Sequence, residues 1–216
     1  MRHILTVISL TILTFASYAE KSWPNRSSEP VKIIVTFTPG GAPDILARIL
    51  AEHWQKDLNN QVIVENKPGA GGSIGTGFVV NADPDGYTLL VQSASFAANP
   101  AIYKKLPYDV EKDFVPITLL ATLPNILLIN PSLPYKNIKE LIAFAKANPG
   151  KLTYASAGTG TASLLAGEMF KQEAGVEITH VPYRGSAPAL NDLMAGHVSI
   201  GFDYPPSSLP FITSGK

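Results

Sequence analysis

One stretch, residues 31–58, constrains the fold more than any other because it joins a strand pattern, a glycine turn and a helix pattern. Val31 opens a run that places β-branched or aromatic side chains at every second position, as strands of a buried sheet do. The run stops at residues 39–41, where a proline cannot donate to a ladder and two glycines permit backbone angles that side chains forbid. Apolar residues then recur at helical spacing from Ile45 to Trp54.

A strand that leads through a glycine-rich turn into a helix has a chemical consequence. The first turn of the helix directs free backbone N–H groups and the positive end of the helix dipole at whatever lies above the sheet. This turn carries no lysine of the kind that a nucleotide P-loop uses. The sequence therefore predicts an anion site here and favours a carboxylate over a triphosphate.

The rest of the chain repeats the alternation of strand and helix patterns, which predicts an α/β fold with parallel sheets rather than a sandwich. A second glycine-rich turn, residues 156–163, also lies between a strand pattern and a helix pattern. Two such turns facing each other across a cleft would hold the two ends of one small anion. Strand patterns occupy residues 62–65, 87–92, 117–120, 126–129, 152–155, 178–181 and 198–202.

The N-terminus and the composition restrict the compartment and the partners. Arg2 and His3 precede an apolar run that ends in small residues at Ala19, which is typical of a secretory signal peptide cleaved after that residue. The chain has no cysteine, which excludes disulfides, thiolate metal ligands and a cysteine nucleophile. Its 17 basic and 17 acidic residues give no indication of nucleic acid or an anionic membrane as a partner.

Motifs spread over nearly the whole chain from Val31 onward match those of one family. They include FTPGGAPDILARILAE, VIVENKPGAGGSIGT, DPDGYTLL, ANPGKLTYASAGTGT and VPYRGSAPALNDLMAGHV. Together they resemble the substrate-binding proteins of tripartite tricarboxylate transporters, also called Bug receptors. The resemblance implies an α/β, type II periplasmic-binding-protein-like fold with a cleft between two domains. It implies a signal peptide at 1–19, a first domain at 24–121 and a second domain at 125–216.

The same resemblance implies a monomeric periplasmic receptor that captures a small carboxylate for the membrane components of a transporter. The carboxylate would come from a di- or tricarboxylate, an acidic amino acid or a similar solute, and no cofactor, metal, nucleic acid or catalysis would be involved. The ligand would lie between the two glycine-rich turns, with residues 93–99 and one acid completing the pocket. The contacts so implied are Pro39, Gly40, Gly41, Ala42, Asp44, Ser93, Ser95, Asn99, Ala157, Gly158, Thr159, Gly160, Thr161, Ser163 and Asp203.

Members of the family continue well past the position that matches Lys216. The resemblance therefore leads us to expect that the second domain and its return to the first are incomplete. We expect such a chain to be less stable than a full-length relative and to bind weakly. A truncated remnant with no binding function is an alternative.

Ser73 supports a second alternative, a secreted serine hydrolase, because residues 71–75 fit the G-x-S-x-G pattern of a nucleophile elbow. An elbow needs its serine directly after a strand, whereas residues 65–70 intervene here and include a proline. None of the four histidines has the spacing of a metal-ligand pair. The sequence therefore favours binding over hydrolysis and predicts no metal site.

Three charged residues near the predicted site each have two interpretations. Asp44 contacts the ligand, or it is a favourable acid in the first helical turn that shapes the glycine turn. Asp203 follows an apolar strand at the end where α/β sheets place ligands, or it is a solvated loop acid. Arg184 pairs with a carboxylate, or it is a solvated loop residue.

Overall fold

A computed structural model describes residues 23–24 and 29–216. The predicted signal peptide lies outside the described residues. The described chain forms a three-stranded sheet followed by a four-stranded sheet, each covered by helices. Within these residues, no helix has both the length and the apolar character that crossing a membrane requires.

The first sheet is parallel, and its central strand is the one that opens the stretch described above. Strand β1 (Val31–Val35) lies between β2 (Val62–Asn66) and β3 (Thr88–Val91). Val31, Ile33 and Val35 are fully buried and pack with Ala47 of the first helix, which explains the apolar composition of this strand. The helices of this part are α1 (Ala42–Asp57), α2 (Ser73–Val80) and α3 (Ser95–Ile102), with a 3₁₀ turn at Ala70–Gly72 before α2.

The second sheet is mixed and has the order β4, β7, β5, β6. Three of its strands run parallel, and β4 pairs antiparallel with β7. Tyr154 and Ile200 lie at the centre of its core and are fully buried. The strands are β4 (Ile126–Ile129), β5 (Thr153–Ser156), β6 (Thr179–Pro182) and β7 (Ile200–Asp203), and the helices are α4 (Ile138–Ala147), α5 (Ala162–Ala174), α6 (Ser186–Ala195) and α7 (Pro205–Thr213).

The predicted α/β class is confirmed, and the predicted strands are observed with one exception. The predicted strand at residues 117–120 is wrong: the segment forms no helix or strand and pairs with no described strand. Ile117 and Leu119 are 71% and 78% exposed. Their alternating apolar pattern has the local preference of a strand, but a strand also needs a neighbour to complete its hydrogen bonds.

Two helices were not predicted. Helix α3 begins at Ser95 inside the segment that the sequence indicated as a loop, and it tolerates Pro100. Helix α7 has prolines at its first two positions, which removes N–H groups that have no partner within a helix in any case. Each helix follows directly after a strand, α3 after β3 and α7 after β7.

Candidate functional site

Asp44 organises the first glycine-rich turn, between β1 and α1. Its side chain is buried and accepts hydrogen bonds from the N–H of Gly40 at 2.9 Å, from Asn66 at 2.9 Å and from two nitrogens of Arg48 at 2.9 and 3.0 Å. Burial by itself raises the pKa of Asp44, but these hydrogen bonds outweigh it and hold the pKa below its usual value. The carboxylate therefore fixes the shape of the turn.

The N–H groups of this turn are partly consumed by that network. Gly40 donates to Asp44, whereas the N–H groups of Gly41 and Ala42 make no hydrogen bond to any described residue. Helix α1 has no side-chain cap at Gly41, and Pro43 in its first turn has no N–H to offer. The donors of Gly41 and Ala42 therefore remain at the positive end of the helix dipole.

Three hydroxyl groups hold the second glycine-rich turn, between β5 and α5. Thr161 donates to the carbonyl of Gly158 at 2.6 Å and caps α5. Ser163 accepts the N–H of Ala157 at 2.9 Å, and Ser156 accepts the N–H of Gly158 at 3.1 Å. The N–H groups without a described partner include those of Thr159 and Gly160 at the tip of the turn. The sequence-predicted Ala157, Gly158, Thr161 and Ser163 thus build the turn from which Thr159 and Gly160 project.

Ser156 also forms a serine–histidine pair, which the sequence did not reveal. Its hydroxyl lies 2.6 Å from Nε2 of His180, whose ring stacks on Tyr154 with the centroids 4.8 Å apart. Burial lowers the pKa of His180. Because the hydroxyl of Ser156 is fully buried and already engaged with Gly158, substrate has no access to it. The pair supports the turn.

The half of the molecule that carries the first sheet and the half that carries the second sheet approach each other closely at two places. A methyl group placed on Gly71 would lie 2.5 Å from the carbonyl oxygen of Thr159. A methyl group on Gly185 would lie 2.1 Å from Oγ1 of Thr38. Each glycine has a positive φ and lies against the backbone or a side chain of the opposite half, so both contacts need the absence of a side chain.

These contacts differ from the predicted pairing of the two glycine-rich turns. Gly41 in the first turn has Ser186 at the start of α6 as its nearest neighbour across the gap, 3.7 Å from the position of a methyl group. Gly160 in the second turn has Asn99 of α3 as its nearest neighbour, at 2.8 Å from such a position. Each turn therefore meets a helix of the opposite half instead of the other turn.

A cleft with a cavity volume of about 190 Å³ lies between residues of the two halves. Of the sequence-predicted contacts, Ala157, Gly158 and Thr159 line it directly. Arg184, for which the sequence left a carboxylate contact open, lines it as well, and the lining residues that were not predicted are Phe37, Gly69, Ala70, Gly71, Gly72, Tyr103, Pro182 and Tyr183. The glycine-rich segment 66–77 was visible in the sequence, and its role at the cleft could have been inferred from its similarity to the two turns.

Asn99 and Ser95 are fully buried behind the cleft, on α3. The side-chain nitrogen of Asn99 donates to the carbonyl of Gly71 and to the hydroxyl of Ser73, both at 3.1 Å, while its oxygen has no described partner. Ser95 hydrogen-bonds with Ser93 at 3.0 Å. These three predicted residues therefore hold the loops of the first half in place from behind.

Asp203 ends β7 and is 4% exposed. Its carboxylate accepts hydrogen bonds from Ser186 at 2.6 Å and from Ser207 at 2.5 Å. Burial raises the pKa of Asp203, although these hydrogen bonds act in the opposite direction. The position at the carboxyl end of the strand matches the prediction, but Asp203 does not line the cleft. It orients the start of α6, which faces the first turn.

Ser73 has no nucleophile elbow around it. The strand before it ends at Asn66, and the 3₁₀ turn Ala70–Gly72 comes between. Its hydroxyl is buried and contacts Tyr108 at 3.3 Å and Asn99 at 3.1 Å, and no histidine is among its partners in the described part of the chain. The described residues also hold no cluster of three or more potential metal-ligating side chains.

The profile of the tripartite tricarboxylate transporter family receptors matches residues 46–216. The chain belongs to this family. It is 37% identical to protein BugT of Bordetella pertussis over 218 residues, a match that covers 100% of this chain and 67% of BugT. It is 40% identical to the UPF0065 protein from the tcbD–tcbE intergenic region of Pseudomonas sp. strain P51, covering 94% of this chain and 60% of that protein.

Solved structures of this receptor family share the fold. The periplasmic binding protein BugD is 42% identical with a TM-score of 0.83, covering 87% of this chain and 63% of BugD. R. palustris Rpa4515 with adipate is 36% identical with a TM-score of 0.86, covering 89% of this chain and 64% of Rpa4515. MatC (Rpa3494) from Rhodopseudomonas palustris with bound malate is 31% identical with a TM-score of 0.77, covering 87% of this chain and 64% of MatC. The predicted family and the periplasmic-binding-protein fold are confirmed.

The chain spans only part of these relatives. It corresponds to between 60% and 67% of the length of the two relatives, and to 63% or 64% of the length of the three solved structures. The comparisons therefore establish the family and the fold of this chain.

Proposed function

We propose that this chain is a periplasmic solute receptor that holds a small carboxylate in the cleft and presents it to the membrane components of a tripartite transporter. The observation that carries the proposal is the cleft itself, which is lined by glycine-rich loops and by Thr159, whose backbone N–H has no described partner. Similar proteins have been solved with adipate and with malate, which are both dicarboxylates. The periplasmic location is that of similar proteins, among them a periplasmic transporter and the periplasmic binding protein BugD.

In this proposal, the ligand is held by the backbone. The proposed donors are the N–H group of Thr159, which lines the cleft, and that of Gly160 next to it, with Gly41 and Ala42 of the first turn, which lie outside the lining, as a second pair. Hydrogen bonds from N–H groups to an ionised carboxylate are shorter and stronger than neutral ones, and they gain strength when water is excluded. The predicted domains, 24–121 and 125–216, would move about residues 120–125, and their closure would exclude the water.

Asp44 and Asp203 serve this proposal as positioning residues. Asp44 fixes the turn that presents Gly41, and Asp203 fixes the start of α6 through Ser186. Direct contact of either acid with the ligand stays a prediction, and an ammonium or hydroxyl group on the ligand would favour it. A monomeric state is also part of the proposal.

A panel of ligands tests the proposal by thermal unfolding. Adipate and malate at a hundredfold excess over Kd should stabilise the protein by about 2.7 kcal/mol, which raises Tm by roughly 5–10 °C for a chain of this size. Adipamide is the matched control because it has the length of adipate without its charges, and it should leave Tm unchanged. Equal shifts with adipate and adipamide, or no shift with any carboxylate, would refute the proposal.

The proposal also includes the absence of ester hydrolysis by Ser73. The buried hydroxyl and its partners, Tyr108 and Asn99, provide no general base. We expect p-nitrophenyl acetate to be hydrolysed at the same low rate by the wild type and by Ser73→Ala. A rate that disappears in Ser73→Ala would favour the hydrolase instead.

A further inference from the structure

Arg184 is the one charged residue among those that line the cleft. The other lining residues are apolar, glycine, Thr159 or tyrosine, and no carboxylate is among them. Arg184 is exposed, and it makes no ion pair or hydrogen bond with any described side chain. A guanidinium in this position gives the cleft a positive charge that no neighbouring acid in the described part of the chain neutralises.

The backbone on both sides of Arg184 is anchored. The N–H of Tyr183 donates to the carbonyl of Ser156 at 3.0 Å, and the hydroxyl of Tyr183 donates to Asp192 at 2.6 Å. On the other side, Gly185 is buried against Thr38 of the opposite half. The base of the Arg184 side chain is therefore fixed at the cleft, whereas its guanidinium is available to a ligand. A loop arginine that served only solubility would need neither anchor.

The cleft thus offers two different kinds of anion partner. The turn around Thr159 offers backbone N–H groups. Gly158 in this turn lies directly against the carbonyl of Tyr183, the residue before Arg184, so the turn and Arg184 are neighbours in the cleft. A guanidinium presents a planar set of donors that matches the two oxygens of a carboxylate. A ligand with a carboxylate at each end satisfies both partners, whereas a monocarboxylate leaves one of them unused.

We propose that Arg184 pairs with a second carboxylate of the ligand and thereby makes the cleft selective for dicarboxylates over monocarboxylates. This inference rests on the proposed function, because it assigns one end of the ligand that the cleft is proposed to bind. The chemical class is a flexible aliphatic dianion whose first carboxylate is held by the backbone of the second turn.

The test compares adipate with hexanoate, which has the same six-carbon chain and a single carboxylate, by calorimetric titration. The wild type should bind adipate at least about tenfold more tightly than hexanoate, since a hydrogen-bonded charge pair contributes a factor of that order to the affinity. Arg184→Gln should weaken the binding of adipate by about 10- to 100-fold and leave the affinity for hexanoate within about twofold of the wild-type value. The affinity of Arg184→Lys for adipate should lie between those of the wild type and Arg184→Gln, because an ammonium keeps the charge and loses the planar set of donors.

Lys151→Gln is the matched control. Lys151 is an exposed cation of the same half that does not line the cleft, so its loss removes the same charge without touching the site. It should leave both affinities unchanged. If Arg184→Gln keeps the wild-type preference for adipate, or if Lys151→Gln weakens adipate equally, the inference is wrong while the proposed function stands. If the wild type binds neither compound, both are wrong.

Discussion

Gly71 is the position at which one methyl group tests whether the two halves must approach each other for ligand to bind. Gly71 has φ of +59°, and a methyl group there would lie 2.5 Å from the carbonyl oxygen of Thr159 on the opposite half. Ordinary contacts of such a carbon begin near 3.4 Å. In Gly71→Ala, the two halves must therefore separate at this point by close to 1 Å, roughly the difference between these distances.

Two separate costs follow from the substitution. A residue other than glycine in the left-handed region costs about 1–2 kcal/mol, and this cost acts on folding. The contact with Thr159 acts on the closed arrangement alone. If it disfavours that arrangement by about 1.4 kcal/mol, the apparent Kd rises about tenfold, because ligand binds only the closed fraction.

Gly175→Ala separates the two costs. Gly175 ends α5 with φ of +61°, and a methyl group there would meet no atom within 4 Å. Urea unfolding should show a similar backbone cost for both variants. Calorimetric titration with adipate should show an unchanged Kd for Gly175→Ala and a Kd raised about tenfold or more for Gly71→Ala. Equal affinity in the two variants would show that the approach of Gly71 to Thr159 has no part in binding.

Two further predictions concern the buried acids. Asp44→Asn should lower the free energy of unfolding by about 1–2 kcal/mol at neutral pH, because the bonds from Gly40 and Arg48 lose their ionised acceptor. Because the pKa of Asp44 is lowered on folding, its stabilising contribution is present at pH values above the unfolded pKa of 3.8 and is lost as the pH falls through the folded pKa. Urea unfolding should therefore show a difference between the wild type and Asp44→Asn that becomes smaller in acid. Because the pKa of Asp203 is raised on folding, its effect on stability has the opposite pH dependence: the contribution is complete below pH 3.8 and is lost as the pH rises through the folded pKa. Asp203→Asn should therefore be at least as stable as the wild type at pH 7 and show a smaller loss of stability between pH 4 and pH 7; a variant that is less stable at pH 7 would contradict this.

Much of the fold could be predicted from periodicity because the strands are short, apolar and bounded by glycine or proline. Strand β1 and helix α1 were visible in this way, since burial on both faces of β1 demands an unbroken apolar composition. Segment 117–120 could not be judged from its pattern, because a strand is completed by a neighbour that local sequence does not specify. Helix α7 was hidden by its prolines, which the first turn of a helix tolerates.

The site was less accessible to sequence than the fold. The second turn could be predicted because its glycines and hydroxyl residues lie together in the chain. Which loops meet across the cleft depends on how two separately formed sheets pack, so the approach of Gly71 to Thr159 and of Gly185 to Thr38 had no local signal. Arg184 was recognised as a charged loop residue, but only the structure shows that it lines the cleft.

The most direct test of the account is a crystal structure of this chain grown with adipate. The account predicts adipate in the cleft, with one carboxylate oxygen within about 3.2 Å of the N–H nitrogen of Thr159 or Gly160. Adipate bound outside the cleft, or in the cleft with no carboxylate oxygen near a backbone N–H of the two glycine-rich turns, would contradict it.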